Sequence, residues 1–85
     1  MNKLYTSKDL VNFLLKYKFV KQPETGSSHS KYRIPSTIKV PKGEYPFIDV
    51  VFNKKPYIKH TCSGYITQLK RMGFTKKQIE EDLIP

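Results

Sequence analysis

The run HSKYRI, residues 29 to 34, alternates two kinds of side chain and stops at Pro35. A strand repeats every two residues, so Ser30, Tyr32 and Ile34 share one face while His29, Lys31 and Arg33 share the other. A sheet built on such a strand can bury one side only. Its partner layer must come from elsewhere in an 85-residue chain, which has room for one domain and a single two-layer core.

Helical patterns supply that layer. Thr6 and Asp9 have the spacing of a capping box, and Leu10, Phe13, Leu14 and Tyr17 follow at i, i+3, i+4 and i+7, which predicts a helix over 7–17. Ser63 reads as the N-cap of a second helix carrying Ile66, Leu69 and Met72, with Gly73 as a left-handed stop. Thr75 and Gln78 form another capping box, opening a short third helix with Ile79 and Leu83 on its apolar side.

Between the helices the sequence is β-prone. Phe19 to Gln22 reads as a first strand, Pro23 to Ser28 as a turn, and Thr37 to Val40 as a strand that forms a hairpin with 29–34. FIDVVF, residues 47–52, is apolar enough on both faces for an inner strand, the third or fourth of the sheet. Asn53 to Thr61 reads as irregular. The whole, 1–85, is expected to be one α+β domain of order α-β-β-β(-β)-α, with a short extra C-terminal helix and the helices on one face of an antiparallel sheet.

Charge narrows the partners. Sixteen Lys and Arg against seven Asp and Glu leave a formal charge of +9, and three of the acids sit together at Glu80, Glu81 and Asp82. That field attracts a polyanion, with nucleic acid the commonest, although an acidic protein or membrane surface would also be drawn. No apolar run is long enough to span a bilayer, no segment at the start resembles a signal peptide, and the one cysteine, Cys62, cannot form an internal disulfide. A reducing cytoplasm is the expected location, and Cys62 reads as a small filler or a surface residue and not as a nucleophile.

Four segments taken in order, TSKDLVNFLLKYKFVK, GSSHSKY, TIKVP and SGYITQLKRMGFTKKQI, resemble the HicA family of bacterial and phage toxins. The likeness runs over nearly the whole chain. Two features depart from the family pattern: the stretch from Lys42 to Cys62 is longer, and the turn carries an extra serine, Ser28. The resemblance implies a fold like the double-stranded RNA-binding domain, an mRNA-cleaving activity (an mRNA interferase) within a type II toxin-antitoxin system, and a HicB-like antitoxin as partner. It also implies His29 as the catalytic residue.

The chemistry of His29 can be argued separately. Strand cleavage takes a proton from a hydroxyl and gives one to the leaving oxygen, and an imidazole with a pKa near ~6.5 can do either. Lys31 and Arg33 would hold the phosphate, and Gly26, Ser27, Ser28, Lys39, Lys70 and Arg71 complete the candidate RNA-binding set. With no carboxylate cluster to hold metal ions, the nucleophile is expected to be the adjacent ribose 2′-hydroxyl, with no metal and no cofactor. His60, ahead of the second helix, is a possible second acid or base, although a plain loop residue is the commoner outcome.

The paired cations Lys54-Lys55, Lys70-Arg71 and Lys76-Lys77 read as a track for the RNA backbone or as solvated faces. Tyr5, Tyr32, Tyr45, Tyr57 and Tyr65 could stack on bases or fill the core, with Tyr17 and Tyr32 expected to be packed. Two other readings remain open. One is a non-catalytic module that binds double-stranded RNA, and the other is a phage-encoded interaction protein with a basic face.

Overall fold

The computed structural model describes residues 4–23 and 29–83, with the backbone but not the side chain of His29. Three helices and three strands follow in the order α1 (Ser7–Lys16), β1 (Val20–Lys21), β2 (His29–Arg33), β3 (Phe47–Val51), α2 (Lys59–Arg71) and α3 (Lys76–Asp82). The strands form one antiparallel sheet of order β1-β2-β3.

Helix α1 begins where its capping box requires. The Thr6 hydroxyl accepts the Asp9 N–H at 3.1 Å, and the Asp9 carboxylate accepts the Thr6 N–H at 2.9 Å. The reciprocal bonds satisfy N–H groups that the first turn leaves without partners. Thr75 and Gln78 repeat the arrangement at α3, with bonds of 3.1 and 2.8 Å. Leu10, Phe13 and Leu14 are fully buried, as their spacing predicts.

Both longer helices stop in the same way. The Lys18 N–H donates to Leu15 O and the Phe19 N–H to Leu14 O; at α2, Gly73 donates to Lys70 O and Phe74 to Leu69 O. This is the Schellman pairing, and in each case the two apolar partners, Phe19 with Leu14 and Phe74 with Leu69, are buried. The residue in the left-handed region is Gly73 (φ 108°) in one and Lys18 (φ 69°) in the other.

The alternation of β2 holds. Ser30, Tyr32 and Ile34 are buried, and Lys31 and Arg33 are exposed. Ile48 and Val50 join the same core from β3, Cys62, Tyr65 and Leu69 from α2, Met72 from its C-cap, and Ile79 from α3. The helices therefore cover one side of the sheet and leave the other open.

Three expectations are corrected. Thr37 to Val40 is no strand: the Ile38 N–H donates back to the Pro35 carbonyl, which closes a turn where a ladder would begin, and Pro41 at the far end has no N–H to give. The place beside β2 goes to residues 47–51, and Ile34 N–H extends the pairing to Pro46 O. Next, β3 is an edge of the sheet, not an inner strand. The Tyr65 hydroxyl donates to Asp49 O at 2.7 Å and accepts the Val51 N–H at 3.1 Å, while the Tyr57 hydroxyl donates to Val51 O. Two tyrosines thus take the edge groups that another strand would have used. Finally, α2 starts at Lys59 with Ile58 as its N-cap, so Ser63 lies inside the helix and caps nothing, and the irregular stretch ends before it reaches Thr61.

Candidate nucleic-acid interface

The uncovered side of the sheet carries the candidate site. Its centre is β2, where the antiparallel register sets Lys31 opposite Asp49 and Arg33 opposite Phe47. Residues paired across strands on one face are neighbours, and here they make a cation-aromatic cluster. Lys31 Nζ lies 5.3 Å from the Phe47 ring centre and 5.9 Å from that of Tyr45; Arg33 Cζ lies 5.4 Å from Phe47. The Tyr45 and Phe47 rings are 5.2 Å apart. A hydrogen bond to Tyr45, followed by the charges of Tyr45 and Asp49, holds the Lys31 ammonium above its ordinary pKa. Lys31 is therefore a fixed positive charge near neutral pH.

His29 opens β2, its Cα opposite Val51, two residues ahead of Lys31 on the same strand. Gly26, Ser27 and Ser28 lie outside the described residues. Of the other expected phosphate ligands, Arg71 joins the cluster: with Glu44, Tyr45, Phe47, Gln68 and Met72 it lines a recess of about 70 Å³. Lys70 is exposed in the same last turn of α2 but does not line that recess. Lys39 is exposed in the turn segment, and its carbonyl comes within 3.9 Å of where a Cβ on Gly73 would be, so its backbone lies beside the stop of α2 and not in the sheet.

His60 sits in the first turn of α2, not in a loop ahead of it. It is exposed and lines a shallow groove of about 220 Å³ with Asp49, Thr61, Gly64, Tyr65 and Gln68. Gln68 borders both hollows, and positions 60, 64, 68 and 71 follow one another along one helix face, so the groove continues along α2 from His60 to Arg71. The groove is open at Gly64, where a Cβ would meet nothing within 4 Å.

Most of the acidic residues near the C-terminus are turned to other work. Asp82 accepts from both Lys16 and Tyr17, and Glu80 pairs with Lys76 at 3.8 Å. Lys76 is thereby partly withdrawn from the expected track, while Lys54 and Lys55 are exposed just after β3. Cys62 is buried, its thiol donating to Tyr57 O at 3.5 Å, as befits a filler. Among the described residues no three His, Cys, Asp or Glu side chains gather where they could hold a metal ion, and no helix is long and apolar enough to cross a membrane.

Sequence reasoning missed Tyr45 and Phe47 as a pair. The signal was present in the period of two: with Ile48 and Val50 inward, Phe47 must face out beside Asp49. Reading 47–52 as an inner strand hid it. Comparison with family models, curated proteins and solved structures gives no match to this chain.

Proposed function

We propose that the chain is a HicA-like toxin: an endoribonuclease with a double-stranded RNA-binding-domain-like fold that cuts mRNA in the cytoplasm through His29, without a metal ion, and is held inactive by a HicB-like antitoxin. One observation carries the reading. The strand that His29 opens presents Lys31 and Arg33 on the exposed side of the sheet, in a protein of charge +9. A histidine at the head of a strand that carries two exposed cations puts a proton-transfer group and phosphate ligands on one segment of the chain.

In this mechanism the imidazole of His29 takes the proton of the ribose 2′-hydroxyl. The 2′-oxygen bonds to the adjacent phosphorus, the bond to the 5′-oxygen breaks, and that oxygen takes up a proton. Lys31 and Arg33 offset charge building on the phosphate oxygens. His60 is placed on α2, across the β3 edge from this strand, where it could serve as the proton donor. The hollow of about 310 Å³ beside Val51, Phe52 and Ile58, with Lys54, Lys55 and Lys59 close in sequence, offers an acidic antitoxin both apolar surface and charge.

His29→Ala tests the assignment. The variant should bind RNA and fail to cut it, and wild-type cleavage should persist in EDTA. Equal binding by both proteins with no cutting by either would instead identify a binding module, and cleavage that needs added magnesium would remove the metal-free mechanism.

A further inference from the structure

The open face of the sheet holds more than phosphate ligands. Of the five tyrosines that could meet a base, Tyr5, Tyr32, Tyr57 and Tyr65 are buried, and Tyr45 alone is 52% exposed. Its ring is tilted against Phe47, and Lys31 stands over both rings. Arg71 and Gln68 line the adjoining recess and supply hydrogen-bond donors beside the rings.

We infer that Tyr45, supported by Phe47 and flanked by Lys31 and Arg71, is a base-stacking subsite that makes single-stranded RNA the preferred ligand of this face. The inference rests on the RNA-binding reading above and deepens it by naming the substrate class. A base in a duplex has both faces stacked and offers none to an exposed ring, whereas an unpaired base can lie on the tyrosine while its phosphates meet the cations. The cluster is also in line with the proposed chemistry. From residue 29 to residue 33 the strand advances roughly 13 Å, so a chain held at Tyr45 and Arg33 can reach past Lys31 to His29. The acidic side chains at the cluster are Glu44 and Asp49, and Lys31 faces Asp49 directly, which leaves the face cationic.

The test uses a 2′-O-methyl oligoadenylate, which cannot be cut through its 2′-oxygen, an abasic strand of equal length and charge, and an RNA duplex. Wild-type protein should bind the oligoadenylate about tenfold more tightly than the abasic strand, the scale of one stacked base. Tyr45→Ala should lose that margin and bind the base-bearing and abasic strands alike, and Tyr45→Phe, which keeps the ring, should retain it. Equal affinity for the base-bearing and abasic strands, or tighter binding of the duplex, would overturn the inference, as would a Tyr45→Ala variant that behaves like wild type. Cutting of all-ribose RNA is scored separately. If cutting is absent while base-dependent binding persists, the nuclease reading falls and the subsite stands; the reverse pattern removes the subsite alone.

Discussion

The Tyr65 hydroxyl is hydrogen-bonded to Asp49, donating to its carbonyl at 2.7 Å, and the same oxygen accepts the N–H of Val51 at 3.1 Å. One side chain from α2 thus satisfies two edge groups of β3 and fixes the helix against the sheet. The groove that holds His60 is built on this contact.

Tyr65→Phe should keep the ring and lose both bonds. Edge groups left without partners cost about 1–3 kcal/mol, so denaturant melts should show a loss of that order. Hydrogen exchange at the Val51 amide should accelerate beyond the global change. An unaltered midpoint would show that water replaces the hydroxyl without cost.

The two Schellman stops predict opposite effects. Lys18 holds a left-handed conformation that costs a side chain roughly 1 kcal/mol, so Lys18→Gly should raise stability by up to that amount. Gly73→Ala should lower it by about 1 kcal/mol, through strain and not collision, since the nearest atom to the new Cβ is 3.9 Å away. Thermal melts of both variants decide the matter, and equal signs would refute it.

Removal of either capping box should be measurable and unequal. Thr6→Ala and Thr75→Ala each lose a bonded cap worth about 1 kcal/mol. Helix α1 carries three fully buried apolar residues, Leu10, Phe13 and Leu14, and α3 carries Ile79 as its buried residue. Fraying at α3 should therefore remain local, visible in hydrogen exchange, while loss of the Thr6 cap should lower global stability.

Asp82 bears on both ends of the pH profile. The Lys16 ammonium, then the Tyr17 hydroxyl, holds its carboxyl below the ordinary value. Its contribution is complete above the unfolded pKa of about 3.9 and is lost as pH falls through the lower folded value. Tyr17, through its bond to Asp82, is pushed up to about 12. An unfolded tyrosine ionises near ~10, so stability drains as pH rises from there towards the folded value. Asp82→Asn should flatten the acid limb of stability against pH, and Tyr17→Phe should flatten part of the alkaline limb.

Of the candidate site, the exposed setting of Lys31 and Arg33 was legible, because strand alternation is a property of neighbouring residues. The partnership of Lys31 with Tyr45 and Phe47 was not. It depends on residues 47–51 taking the place beside β2, and that choice sets an apolar strand against a segment that opens in a turn and ends at a proline. His60 was misplaced for a related reason: α2 begins four residues before Ser63, with no capping side chain to announce it.

The sequence by itself determined the two capping boxes, the buried face of α1, the stop at Gly73 and the two-sided character of β2, since each is decided by groups within a few residues of one another. Tertiary structure alone decided that β3 would be an edge closed by Tyr57 and Tyr65, that Lys18 would accept a left-handed turn, and that Tyr45 would stay exposed while Tyr5, Tyr57 and Tyr65 were buried. Those outcomes turn on which distant surfaces win the competition for one small core, and the energy of a contact belongs to the pair and not to either residue.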